Sequence, residues 1–131
     1  MPTLSTAARD AACDAIVGLV DAGTTDASGD FLLTDTAGGG GTTLATIALN
    51  TAPAFGASST GTATLDVSPA LSASAVATGT AAGFALRDRD NTVIVSGTVA
   101  TSAADVTIDN TTVASGQTVN LNAITVTVPA S

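Results

Sequence analysis

From Gly23 onward the chain is a series of short apolar runs of period two, broken about every ten residues by clusters of Gly, Ser, Thr and Asn. Alternation of this kind puts successive side chains on opposite faces, so each run can bury one face of a strand and cannot form the stripe of a helix. Strands are expected over residues 30–34, 43–49, 60–67, 80–87, 92–99 and 105–109, with a weaker edge strand at 71–76. Residues 117–128 bury odd positions first, Val119 and Leu121, and then even ones, Ile124, Val126 and Val128. A one-residue slip exchanges the faces of a strand, so this flip at Asn122-Ala123 implies a β-bulge or a short turn between two strands.

The turns follow from residue chemistry. Gly38 to Gly41 read as a flexible loop tip, Pro53-Ala54-Phe55-Gly56 interrupts, Pro69 closes the third strand, and Asn110 and Ser115-Gly116 mark turns. Asp88-Arg89-Asp90-Asn91 is a polar turn between the two clearest strands, whose inward sets are Phe84 and Leu86, then Val93, Val95 and Val99. Within 60–67 the inner face carries Ala63, Leu65 and Val67. Pro129 ends the structure.

One segment has a different period. Across residues 5–22, Ala8, Ala12, Ile16 and Val20 recur at i+4 with Leu19 beside them, while Arg9, Asp10, Asp14 and Asp21 fall off that stripe. Ser5 or Thr6 caps this helix and Gly23 stops it. The stripe is narrow and rich in Ala, which suits close packing on its own sheet or anchorage to a neighbouring subunit. A single helix cannot supply the crossovers of a parallel α/β fold. The expected fold is therefore mainly β, an antiparallel β-sandwich or barrel of about seven to nine short strands with one N-terminal α-helix. The 131 residues suit a single domain, with an N-terminal helical segment at 1–23 and a β domain at 24–131.

The alphabet restricts the chemistry. Every acid is Asp and every base is Arg, and the chain contains no His, Lys, Glu, Trp or Tyr. Without His there is no Ser-His-Asp or Cys-His arrangement. Cys13 is the only cysteine, so no intrachain disulfide can form, and with only Arg9 one turn earlier it reads as a packing residue. Asp88 and Asp90 are the tightest carboxylate pair, yet in a turn such residues bind local backbone, and the further ligands of a calcium loop are missing. The Asp-rich stretch 26–35 reads the same way. Gly38 to Gly41 lack the Lys of a phosphate loop, and aromatics at 2% give sugars little to stack on. No catalytic, cofactor-binding or metal-binding residue is expected. The reading is of an architectural part and not of an enzyme.

The net charge is -8, with Arg9, Arg87 and Arg89 the only cations. Phosphate backbones and anionic membranes both require clustered cations, so nucleic acid and membrane are not expected partners. No stretch approaches the ~20 apolar residues of a membrane span, and the start lacks a basic segment followed by an apolar one. Synthesis in the cytoplasm is expected, with export only as part of an assembly. Large core residues are few, led by Phe31, Phe55 and Phe84.

The string Ser5-Thr6-Ala7-Ala8-Arg9-Asp10-Ala11-Ala12-Cys13-Asp14-Ala15-Ile16-Val17 resembles the opening of a family of small virion-associated proteins of tailed bacteriophages and prophages. Pro53-Ala54-Phe55-Gly56, Ala77-Thr78-Gly79-Thr80-Ala81, the stretch from Phe84 to Asp90 and the ending Ile124-Thr125-Val126-Thr127-Val128-Pro129 extend the likeness over nearly the whole chain. Between Thr24 and Thr42 it departs, since relatives often carry an aromatic strand and a longer loop there. The resemblance implies a structural protein without catalytic residues. The expected role is a capsid decoration or cement protein, located on the virion at the capsid surface and partnered by the major capsid protein. A homo-oligomer, dimer or trimer, would suit a shell. The alternative is an adhesion or receptor-binding module on the tail or head surface. Contact residues are not specified; the exposed candidates are the loops at Gly38 to Gly41 and Asp88 to Asn91, with Ile16, Leu19 and Val20 expected inside.

Overall fold

The computed structural model describes residues 2–121 and 124–130. The expected helix is α1, Thr6–Gly18, prolonged by a 3₁₀ turn at Leu19–Asp21. Ser5 is its cap: its hydroxyl accepts the Ala8 amide at 3.2 Å, a contact that contributes about 1 kcal/mol. Gly23 then redirects the chain at φ +106°, where a β-carbon would run into Asp90.

Within α1 the buried stripe is displaced by one residue, to Cys13 and Val17 in place of Ala12 and Ile16, while Val20 of the 3₁₀ turn is buried as expected. Cys13, Val17 and Val20 face the core and Ile16 is half-buried, whereas Ala8 is exposed and Leu19 is 51% exposed. Arg9 and Asp10, expected off the stripe, are half-buried instead. Their side chains bond to distant backbone, and those bonds set the rotation of a helix whose small apolar residues constrain it weakly.

Eleven strands follow among the described residues: β1 Asp30–Thr36, β2 Gly40–Ala48, β3 Thr62–Thr64, β4 Leu71–Ser74, β5 Gly79–Thr80, β6 Gly83–Arg87, β7 Val93–Ala100, β8 Val106–Thr107, β9 Thr112–Val113, β10 Thr118–Leu121 and β11 Thr125–Thr127. The number exceeds expectation because two-residue ladders such as β5–β9 are too short to show a period. Five strands form one sheet in the order β2-β1-β6-β7-β8, and β10-β4, β11-β3 and β5-β9 form two-stranded ladders. The fold is mainly β and sandwich-like, with one N-terminal helix, as expected.

Several local expectations change. Gly38 and Gly39 turn the chain at φ +81° and +80°, but Gly40 and Gly41 already belong to β2, so only half of the glycine run is loop. Residues 80–87 divide, β5 pairing with β9 while β6 lies between β1 and β7. Thr60 and Gly61 are not strand; at φ +53° and +78° they make a two-residue hairpin turn closed by reciprocal Ser59 and Thr62 bonds. The hairpin around Asp88 to Asn91 forms, but a register shift between Leu86 and Arg87 leaves Ile94 as an extra residue. That bulge flips Val93 outward, where it is 53% exposed, against the inward position expected.

One ladder is parallel. β8 runs alongside Val99 and Ala100 of β7 after a loop of a few residues, far shorter than a helical crossover. Only two residues pair, and Asp105 ties the loop down by accepting the Thr98 amide at 2.9 Å and its hydroxyl at 3.1 Å. The parity switch expected at Asn122-Ala123 lies outside the described residues. On its two sides the partner changes: β10 pairs with β4 and β11 with β3.

The three phenylalanines are buried as expected. Phe31 and Phe84 lie diagonally across β1 and β6, stacked with centroids 5.5 Å apart and planes 9° apart, an arrangement that contributes about 1 kcal/mol beyond burial. Around them Leu33, Leu44, Ile47 and Leu86 are fully enclosed, and Cys13, Val17 and Val20 of α1 join the same cluster. Beside that core, Arg87 and Asp30 form a two-bonded ion pair at 2.7 Å that links β6 to β1. The Asp30 carboxylate holds the Arg87 guanidinium above its ordinary pKa, against the opposing effect of partial burial.

Candidate functional site

The ionisable side chains are where chemistry would reside, and the fold uses most of them as backbone ligands. On α1, Asp10 accepts the Gly61 amide at 2.6 Å and Asp14 that of Ser58 at 2.8 Å, and in the 3₁₀ turn after it Asp21 accepts that of Ala54 at 3.1 Å. Arg9 reaches the other way, donating to the carbonyls of Val128 at 2.9 Å and Thr60 at 3.0 Å. The helix is thus clasped to the Thr60–Gly61 turn, the segment before it and the C-terminal strand. Cys13, expected as packing, is fully buried, and its thiol donates to the Val126 carbonyl at 3.2 Å. Arg9 is turned toward carbonyls, and no hydrogen bond joins it to Cys13 among the described residues.

Asp88 and Asp90 do not form a carboxylate pair. Asp88 accepts the amides of Asp90 and Thr92, both at 2.9 Å, which is the local backbone role expected of Asp in a turn. Asp90 accepts the amides of Thr24 and Thr25 at 2.9 and 3.0 Å, and these bonds hold its carboxyl below the ordinary value. Arg89 donates to the Asp26 carbonyl at 2.6 Å, and Asn91 to the Asp26 carboxylate at 3.2 Å. The turn expected to be exposed keeps Asp90 and Asn91 at the surface, and it is also docked on the loop that follows α1.

The Asp-rich stretch 26–35 is separated in space by function. Asp26 meets the Asp88–Asn91 turn, Asp30 meets Arg87, and Asp35 accepts the Thr42 amide at 2.8 Å. Asp66 accepts the Ser68 amide at 3.0 Å. In all, Asp10, Asp14, Asp21, Asp35, Asp66, Asp88, Asp90 and Asp105 each accept a backbone amide. Among the described residues no three His, Cys, Asp or Glu side chains are grouped to hold a metal ion.

What the molecule presents outward is strand backbone, small side chains and a few larger apolar ones, Leu4, Leu19, Val76 and Val93. Thr62 and Thr64 of β3 face Thr127 and Thr125 of β11, with the Thr62 and Thr127 hydroxyls 2.9 Å apart. A recess of about 340 Å³ lies between α1 and the loop carrying Pro53 and Phe55, and the carboxylates at its rim, Asp14 and Asp21, are the ones already bound to backbone. A second recess, about 210 Å³, separates β7 from β11. Sequence reasoning missed this second place, because only pairing partners decide which strand edges stay open. No helix among the described residues is long and apolar enough to cross a membrane. No family model, no curated protein and no solved structure matches the chain.

Proposed function

We propose that this chain is a structural component of the virion of tailed bacteriophages, a capsid decoration or cement protein that binds the outer face of the head and bridges neighbouring major capsid subunits. The observation that carries the reading is the use made of charge. Eight carboxylates bind the chain's own backbone amides, Arg9 and Arg89 bind its carbonyls, and Arg87 binds Asp30. A partner is left with strand edges, small flat side chains and the exposed Leu4, Leu19, Val76 and Val93, which suit close contact over area and not turnover. The net charge of -8 suits an outer position, away from packaged DNA.

A clamp of this kind adds buried area across each seam and so raises the work of separating subunits. Purified protein added to expanded, empty heads is expected to bind at high copy number and raise their disruption temperature. Its absence from purified virions would end the proposal. A low copy number together with affinity for cells or glycans would identify an adhesion or receptor-binding module instead.

A further inference from the structure

We propose that the recess between β7 and β11 is an acceptor slot for an extended, basic peptide strand of another protein, which would pair with both strand edges at once. The ladder geometry places those edges. The Val99 amide bonds to the Ala82 carbonyl at 2.9 Å, so by alternation β7 turns the backbone groups of Ser96 and Thr98 away from β6. The Thr98 amide is taken by Asp105, whereas at Ser96 no strand pairs with β7 on this side among the described residues. β8 covers β7 only at Val99 and Ala100.

The same argument applies opposite. Leu65 donates to the Ile124 carbonyl and Val128 to that of Gly61, so the backbone groups of Thr125 and Thr127 point away from β3. Val95, Ser96 and Asp105 line one side of the recess and Thr125 to Thr127 the other, over a floor of Phe84 and Ile124. Unpaired edges are templates for a further strand. An added strand would satisfy both rows of backbone groups and set its alternate side chains on the apolar floor.

Charge selects the occupant. Asp105 stands at one end, the chain carries -8, and all three arginines are engaged elsewhere. A second copy would bring like charge with no free cation. A strand alternating Val or Leu with Lys or Arg supplies both the apolar side and the countercharge. The slot has this chemistry whether or not the chain decorates a capsid.

The probe is a six-residue peptide alternating Val and Lys, blocked at both ends and titrated into the ¹⁵N-labelled full chain. Saturable binding is expected, with amide shifts concentrated at Val95 to Gly97 and Thr125 to Thr127 and with affinity that falls as salt rises. Ser96→Pro removes the donor on an outward-facing edge position, where proline is tolerated, and should weaken binding by about tenfold or more. The shift map of the unaltered chain reads the slot independently of that variant. Shifts located elsewhere, equal binding of the peptide with Glu in place of Lys, or an affinity that Ser96→Pro leaves unchanged would each overturn the proposal. So would a concentration-dependent dimer, seen by sedimentation, that Ser96→Pro dissolves, since the occupant would then be a second copy.

Discussion

At the scale of single residues, the exclusive use of Asp has a structural explanation. A carboxylate one methylene from the backbone reaches an amide two residues along, as Asp88 does to Asp90 and Asp66 to Ser68, and such local bonding is the habit of Asp and Asn in turns. Asp90 does this across the chain, and its lowered pKa fixes the sign of a pH effect. The folded form binds the proton less readily than the unfolded one, so the stabilisation is complete above the ordinary value of 3.8 and is lost as pH falls through the lower, folded value. In urea titrations the wild type is expected to exceed Asp90→Asn at pH 6, with the gap narrowing as pH falls below 3.8. Thr60 presents the opposite case. It is a β-branched residue at φ +53° in a turn that favours Asn-Gly. Thr60→Asn keeps the carbonyl that Arg9 binds and should stabilise the fold by about 1 kcal/mol, raising the thermal midpoint by about 4 °C.

At the scale of elements, α1 is held differently from the usual amphipathic helix. Its buried apolar side chains are Cys13 and Val17, with Val20 in the 3₁₀ turn that prolongs it, and the polar clasps from Arg9 to Asp21 fix its orientation. Asp21→Ala leaves the amide of the fully buried Ala54 without its acceptor, at a cost of about 1–3 kcal/mol. The expected reading is a lowered denaturation midpoint with the strand signal unchanged in native buffer by circular dichroism. The helix limits and a cap at Ser5 or Thr6 were legible because capping and 3.6 periodicity are local, and the structure selects Ser5. Its rotation was not, because Gly61, Ser58, Ala54 and Val128 lie far away in sequence. The hairpin β6–β7 was legible for the same local reason, and the outward turn of Val93 was not, because the Ile94 bulge arises in pairing with β6.

At the scale of the molecule, helix and strands share one core cluster, so they should unfold together. Circular dichroism at far-ultraviolet wavelengths and dispersion of the methyl NMR signals should give one coincident urea transition. Gly83 lies where β6 passes closest to the end of β1, and a methyl group there would collide with the Thr36 carbonyl. Gly83→Ala is expected to cost about 2–3 kcal/mol, still with a single transition. Two separate transitions in the wild type would mean that α1 and the sheet are energetically independent. Of the candidate sites, the Asp88–Asn91 turn was visible in sequence as a turn, but its docking on the loop after α1 was not. The open edges of β7 and β11 had no sequence signature at all, since an unpaired edge is defined by what the rest of the chain leaves uncovered.

By itself the sequence determined the class of the fold, the single helix and its cap, the buried phenylalanines and the scarcity of groups able to move protons, because composition, period and capping act over a few residues. Tertiary structure alone decided the parallel β7–β8 contact, the rotation of α1, the binding of Asp10, Asp14, Asp21 and Asp90 to distant backbone and the slot between β7 and β11. These depend on which backbone groups meet across tens of residues, and side-chain alternation carries no record of that.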